Sequence, residues 1–457
     1  MSDTMISTPE KKEPHVNILK TRDDRKPVYF TQSEDDKYQI DSAEKPSWAE
    51  NTFSVNDLRQ RIEPWLTALF QSEHLSLLAG SGLTHAIHYL AANKAAAGMN
   101  RAEFVIEGAK IKEAANKSAE AVVRKNPNIE DDLRVANELL RALAILQDER
   151  SSSLSTEIET IMKSFADSIL QSEVGIADAD EKVRENAFNT LINFLMSFAS
   201  RTGTRDRLNV FTTNYDRLIE AGCELAGIHL LDRFVGNLNP IFRTSRLDLD
   251  MHYNPPGIRG EPRYLEGVAR FTKLHGSIDW AQVGGEIRRL GLPFGTSDVK
   301  PYLAMPGFSG VNADSLMIYP NAAKDSETAQ YPYVELFRDF AAALCRPNST
   351  LVTYGYSFGD EHINRIIRDM LTIPSTHLVV ISYGDTMGRI MENYERVGRP
   401  SQISLLIGPA LADISILTEN FLPKSSIDRT TSRMSDLLKM RFGTKESERD
   451  TEKGDAQ

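Results

Sequence analysis

The chain has 457 residues, 41% of them apolar and 26% charged, and a formal net charge of −11. This supports two ordinary domains or one enlarged domain, and the negative balance excludes a molecule that binds nucleic acid through its overall charge. No run approaches the ~18 apolar residues of a membrane span and the polar start Met1–Lys12 has no hydrophobic signal core, while two lone cysteines, Cys223 and Cys345, exclude a disulfide framework and a four-cysteine zinc site.

A reducing, cytoplasmic setting away from membranes is the expectation. In chain order, the first 50 residues carry 19 charged side chains and few aliphatics, which predicts a disordered or extended segment over 1–53. Val55–Phe70 has apolar residues at helical spacing (Leu58, Ile62, Trp65, Leu66, Leu69). Leu75–Ala79 reads as a short buried strand that runs into Gly80-Ser81-Gly82 and then a helix through Ile87, Leu90 and Ala91. Strand, glycine turn and helix together are how a nucleotide-binding α/β sheet begins. Residues 93–206 lose the strand signal and carry three helical stripes, through Leu133–Leu146, Ile158–Ile169 and Val183–Phe198, and so predict a helical insertion.

The α/β pattern resumes over 207–423. Strands are predicted at Leu208–Thr212, Ala269–Leu274, Leu316–Tyr319, Thr350–Tyr356, His377–Ser382 and Ile403–Ile407, with helices at Val334–Leu344, His362–Leu371 and Met387–Val397. This alternation predicts a Rossmann-like parallel sheet flanked by helices, with its ligand beyond the carboxyl ends of the strands. The charged tail 424–457 contains one amphipathic helix candidate, Ser425–Phe442.

Polar or glycine clusters stand at those strand ends. Gly80 and Gly82 either cradle a pyrophosphate at a helix N-terminus or simply form a strand-to-helix turn. Thr212–Asp216 offers an amide beside a carboxylate, suited to ribose hydroxyls or water and equally to a helix N-cap. His275 follows a β-rich run; it is either a general base near neutral pH or an internally hydrogen-bonded histidine. Asp360 opens a helix, where capping accounts for it. His85 and His88 lie three apart with no acidic or cysteine partner in sequence, so no metal site is expected.

Four ordered motifs carry a resemblance to a known family. Ala79-Gly80-Ser81-Gly82, Thr213-Asn214-Tyr215-Asp216 and Leu274-His275-Gly276-Ser277 resemble the sirtuin-like NAD-binding core. Gly355-Tyr356-Ser357-Phe358-Gly359-Asp360-Glu361-His362-Ile363 is similar to the sirtuin-like subgroup of bacterial anti-phage defence proteins. The resemblance covers about 75–92 and 207–421 and leaves out the insertion and both tails. It implies NAD as substrate, with Asn214, Asp216 and His275 as catalytic residues. It also implies contacts to NAD from Ala79, Gly80, Ser81, Gly82, Thr213, Gly355, Tyr356, Ser357 and His362. Deacylating sirtuins carry a zinc ribbon and an Ile-Pro-Asp-Phe-Arg stretch after the glycine loop. Here Leu83-Thr84-His85-Ala86 follows the loop, and no structural zinc is expected.

The resemblance therefore implies an NAD⁺ hydrolase that depletes NAD during phage infection. A homo-oligomer restrained in uninfected cells is expected, with a HerA-like hexameric ATPase as regulatory partner and no direct nucleic-acid contact. A protein deacylase, or a non-catalytic module that binds NAD or ADP-ribose, are the other readings.

Overall fold

A computed structural model describes residues 16–424 apart from 22–23, 35–36, 42–44, 122–126, 201–204, 246–249, 254–262, 309–315, 319–330 and 386. The helix expected at Ser425–Phe442, and with it nearly all of the tail, lies outside the described residues.

The chain enters through four strands, β1 (Asn17–Lys20), β2 (Val28–Glu34), β3 (Lys37–Ile40) and β4 (Thr52–Ser54). Of the segment expected to be disordered or extended over 1–53, the described part contains these paired strands. In β2 and β3 the buried residues Val28, Phe30 and Tyr38 are flanked by more exposed ones, which buries one face, whereas β1 is buried throughout. Phe30, Tyr38 and Phe53 meet in one aromatic cluster, with ring centroids 5.1–5.8 Å apart, while Lys20 at the end of β1 is buried and its Nζ donates to the Ile403 carbonyl at 3.0 Å.

Helix α1 (Val55–Phe70) follows, opened by a capping box between Ser54 and Asp57. Next come β5 (His74–Ala79) and α2 (Ser81–Ala92). The region 93–206 supplies α3 (Gly108–Ala121), α4 (Ile129–Ile145), α5 (Arg150–Ala177) and α6 (Glu181–Ala199). These helices do not form one body. Phe194 and Phe198 of α6 pack with Phe70 and Tyr354 against the main sheet, whereas α3–α5 share a separate core around Leu133, Leu143, Leu154 and Leu170.

The remaining chain gives β6 (Leu208–Thr212), α7 (Leu218–Leu225), β7 (His229–Leu231), β8 (Phe234–Val235), β9 (Ile241–Phe242), β10 (His252–Tyr253), β11 (Arg263–Tyr264) and β12 (Val268–Lys273). It continues with β13 (Gly276–Val283), β14 (Glu286–Arg289), α8 (Lys300–Leu303), β15 (Leu316–Ile318), α9 (Tyr333–Leu344) and β16 (Ser349–Tyr354). It closes with α10 (Glu361–Met370), β17 (His377–Ser382), α11 (Arg389–Val397) and β18 (Ile403–Ile407).

The main sheet has the order β4-β3-β2-β1-β18-β17-β16-β5-β6-β12-β7. Strands from β18 to β7 are all parallel, and β1 joins β18 antiparallel, pairing Ile18 with Ile407. The entering strands thus cover an edge that would otherwise be open. Strand parity sorts the core. Leu75, Leu77 and Ala79 face α1, α2, α6 and α7, while Leu78 joins the opposite cluster with α9 and α10.

A second sheet, β15-β13-β14-β9-β8, was not expected. The chain leaves β12, turns at Gly276 (φ 87°) and re-extends as β13, whose Ile278 and Ala281 pack against the α3–α5 core. Together they make a smaller lobe beside the main sheet. From β5 the chain passes to β6 on one side, and β16 lies on the other. That makes the β5–β16 boundary the switch point, where α/β sheets place their ligands.

Candidate functional site: a cavity over the strand switch

At the carboxyl ends of β5 and β16 the two turns touch backbone to backbone. Gly80 N donates to the Tyr354 carbonyl at 2.9 Å and Gly82 N to the Gly355 carbonyl at 3.1 Å. A Cβ on Gly80 would stand 2.4 Å from the Gly355 oxygen, and one on Gly355 would stand 2.5 Å from Gly82 Cα. Gly355 also has φ 61°, a region that side chains disfavour. Close approach explains why glycine stands at these three positions, and it brings the N-terminus of α2 to the floor of a cavity of about 390 Å³. That volume suits a small-molecule ligand.

The loop after β6 builds one wall. Thr212 Oγ1 donates to the Ala79 carbonyl (2.9 Å) and receives Asn214 N (3.0 Å), which locks the loop to β5. Asn214 Nδ2 donates to the Gly80 carbonyl (3.0 Å) and to Thr84 Oγ1 (2.9 Å). Thr84 Oγ1 in turn donates a hydrogen bond to Asp216 Oδ2 (2.7 Å), while Asp216 Oδ1 accepts Leu218 N (3.1 Å) at the start of α7. Both amide protons of Asn214 are therefore committed, and its Oδ1 is the atom left to accept a bond from a ligand hydroxyl or a water.

The opposite wall carries His275. Its Nε2 lies 2.9 Å from Asp360 Oδ2, and its ring stands 6.3 Å from that of Tyr215. Asp360 Oδ1 accepts His362 N at 2.9 Å, so the carboxylate caps α10 and holds the imidazole at once. Tyr215 donates to Glu130 Oε1 (3.1 Å). Burial, reinforced by Glu130, pushes the Tyr215 phenol well above its usual value, so it remains a proton donor.

The small lobe supplies the roof. Residues 96–99 before α3, Pro127, Asn128 and Glu130 at the start of α4, and Phe165 and Ile169 of α5 line the cavity. Arg217, directly after the Asn214 loop, forms a buried ion pair with Glu173 of α5, and its backbone N–H donates to the same carboxylate at 2.8 Å. His85 also lines the cavity. Burial and neighbouring His88 lower its pKa against the opposing pull of Asp216, which favours the neutral ring.

The structure brings together Gly80, Ser81, Thr213, Asn214, Asp216, His275, Gly355, Tyr356 and Ser357 as lining residues. Ala79, Gly82 and His362 do not line it. Ala79 is a buried strand terminus, Gly82 meets Gly355, and the His362 ring stands 6.4 Å from Phe337. The helix that carries His362 starts at the site, but His362 is not among the residues that line the cavity.

Sequence reasoning missed Thr84, Glu130, Tyr215 and Arg389 as lining residues and Asp360 as the partner of His275. Arg389, at the first turn of α11, is the arginine of the lining. Nothing in the residue order pointed to Glu130 or Arg389, which arrive from distant parts of the chain. Among the described residues no group of three or more His, Cys, Asp or Glu is placed to hold a metal ion, and no helix is long and apolar enough to cross a membrane.

Fold and cavity together define an α/β protein with a cavity of small-molecule size at a strand switch. Residues 208–397 match the family model of the SIR2-like domain, which supports a sirtuin-like relationship for this part of the chain. SIR2-like domains are NAD-dependent enzymes, so the match supports NAD-related activity. The matched span runs from β6 to the end of α11; the Gly80–Gly82 turn lies outside it and is bound to it by the Gly82–Gly355 contact. No curated protein matches the chain.

Proposed function

We propose that the chain is an NAD⁺ glycohydrolase that releases nicotinamide and ADP-ribose. The observation that carries this reading is the convergence of Asn214 and His275 on one cavity floored by the Gly80–Gly82 turn. The pyrophosphate would lie against that turn and the N-terminus of α2, with Ser357 and Arg389 toward the adenosine side. Asn214 Oδ1 would accept a bond from a ribose hydroxyl or from the attacking water, and the Thr84–Asp216 chain would keep the amide from turning.

The bond between ribose C1′ and the nicotinamide nitrogen breaks, and nicotinamide leaves neutral with the bonding electron pair. Water oxygen bonds to the cationic C1′, and its proton passes to His275. The roof from α4 and α5 would limit solvent to what the reaction consumes.

On the sequence resemblance, the enzyme acts in the cytoplasm as an NAD-depleting effector of anti-phage defence. It forms a homo-oligomer and is regulated by a HerA-like hexameric ATPase. Incubating the purified protein with NAD⁺, with and without such an ATPase, tests both levels. Equimolar nicotinamide and ADP-ribose, with more turnover in the complex, is the expected result. Nicotinamide release only when an acyl-lysine peptide is present would replace this reading with a deacylase.

A further inference from the structure

We propose that Asp360 is a positioning residue that fixes the tautomer and orientation of His275, so that Nδ1 is the nitrogen presented to the cavity as the base. An ionised carboxylate only accepts hydrogen bonds, so the 2.9 Å contact between Asp360 Oδ2 and His275 Nε2 places the proton on Nε2 of the neutral ring. Nδ1 then carries the lone pair, and it has no protein partner among the described residues. The pair is well shielded, with 14% and 7% of the two side chains exposed.

The carboxylate is itself held. Its Oδ1 accepts His362 N (2.9 Å) and Ile363 N (3.5 Å) at the start of α10. The loop leading to it is pinned by Tyr356 OH, which donates to the Asp360 carbonyl (3.2 Å) and to Asn364 Oδ1 (3.0 Å), and by Asn364 Nδ2, which donates to the Phe358 carbonyl (2.9 Å). Tyr215 faces the imidazole from the loop after β6. The other titratable or charged groups lining the cavity are Asp216, Glu130 of α4, His85 of α2 and Arg389 of α11. Asp360 is the one bonded to the ring.

Asp360→Asn separates this role from capping. Asparagine caps helices about as well as aspartate, so its oxygen stays on the α10 N–H groups and its NH₂ turns toward Nε2. The amide then donates where the carboxylate accepted, which reverses the tautomer and consumes the Nδ1 lone pair. That Nδ1 serves as base rests on the glycohydrolase reading; the tautomer assignment does not.

The test uses the full-length chain and ¹⁵N NMR of the histidine side chains, with the His275 signals assigned by His275→Gln. The wild type is expected to show the Nε2–H tautomer and Asp360→Asn the Nδ1–H tautomer, with unchanged melting temperatures. Nicotinamide release by Asp360→Asn should fall about a hundredfold, with KM for NAD⁺ held within about twofold. Asp360→Ala should lose both the cap and the rate, and so melt lower. The same His275 tautomer and rate in wild type and Asp360→Asn would overturn the proposal. A wild type that cleaves no NAD⁺ under any condition would sink the glycohydrolase reading, while the NMR comparison still decides the pairing.

Discussion

The main sheet and the small lobe contribute to the cavity in opposite ways. From the sheet come backbone contacts: Gly80, Gly82 and Gly355 lie against one another without an intervening side chain, and the loop after β6 is hydrogen-bonded to the end of β5. The lobe acts through side chains, with Glu173 on Arg217 and Glu130 on Tyr215 joining α5 and α4 to that same loop. Backbone contact fixes a position closely and tolerates almost no substitution, whereas a buried ion pair is strong yet can be removed by one change. The proposed reacting groups Asn214 and His275 therefore stand on the rigid half, and the roof stands on the half whose attachment can be altered.

Removing that attachment should have the largest effect. Glu173→Ala leaves Arg217 with a buried, uncompensated charge and should cost about 3–5 kcal/mol in chemical denaturation. An unchanged stability would show that the lobe is held by its apolar core alone. On the sheet side, Gly355→Ala forces a Cβ to 2.5 Å from Gly82 Cα at a positive φ, for an expected loss of about 2–4 kcal/mol. NAD⁺ binding by calorimetry should weaken with it. If binding stayed intact, the glycine contact would not shape the ligand floor.

Smaller changes sharpen the contrast. Tyr215→Phe removes the bond to Glu130 at the roof and should cost about 1–2 kcal/mol, with slower turnover but preserved secondary structure. Beneath the same loop, Lys273 Nζ donates to Glu220 Oε1 at 3.0 Å. Burial, only partly opposed by Lys273, pushes Glu220 up to about 7. A carboxyl raised on folding favours the native state below its ordinary value of about 4.5, and that contribution is lost as pH rises through about 7. Thermal melts between pH 5 and pH 8 should therefore fall more steeply for the wild type than for Glu220→Gln; parallel curves would remove Glu220 as the cause.

The parallel core was readable because buried strands are short apolar runs between glycine or polar ends. Leu75–Ala79, Leu208–Thr212 and His377–Ser382 all announce themselves this way. The entering strands were hidden because only alternate residues, such as Val28, Phe30 and Tyr38, are apolar, and the charges between them dominate composition. The second sheet escaped because β8 and β9 are two residues long and β13 begins at a glycine that reads as a strand end. Within the site, Asn214 and His275 stood out by their place at strand ends. Thr84 looked like an ordinary helical residue and Asp360 like an ordinary cap, and only three-dimensional proximity gives them their partners.

Nicotinamide release from NAD⁺ by the purified protein, compared with His275→Ala and Asn214→Ala at matched folding, tests the central claim most directly. The account predicts ADP-ribose and nicotinamide in equal amounts from the wild type, and a loss of at least about a hundredfold in either variant. Wild-type rates in both variants would contradict it.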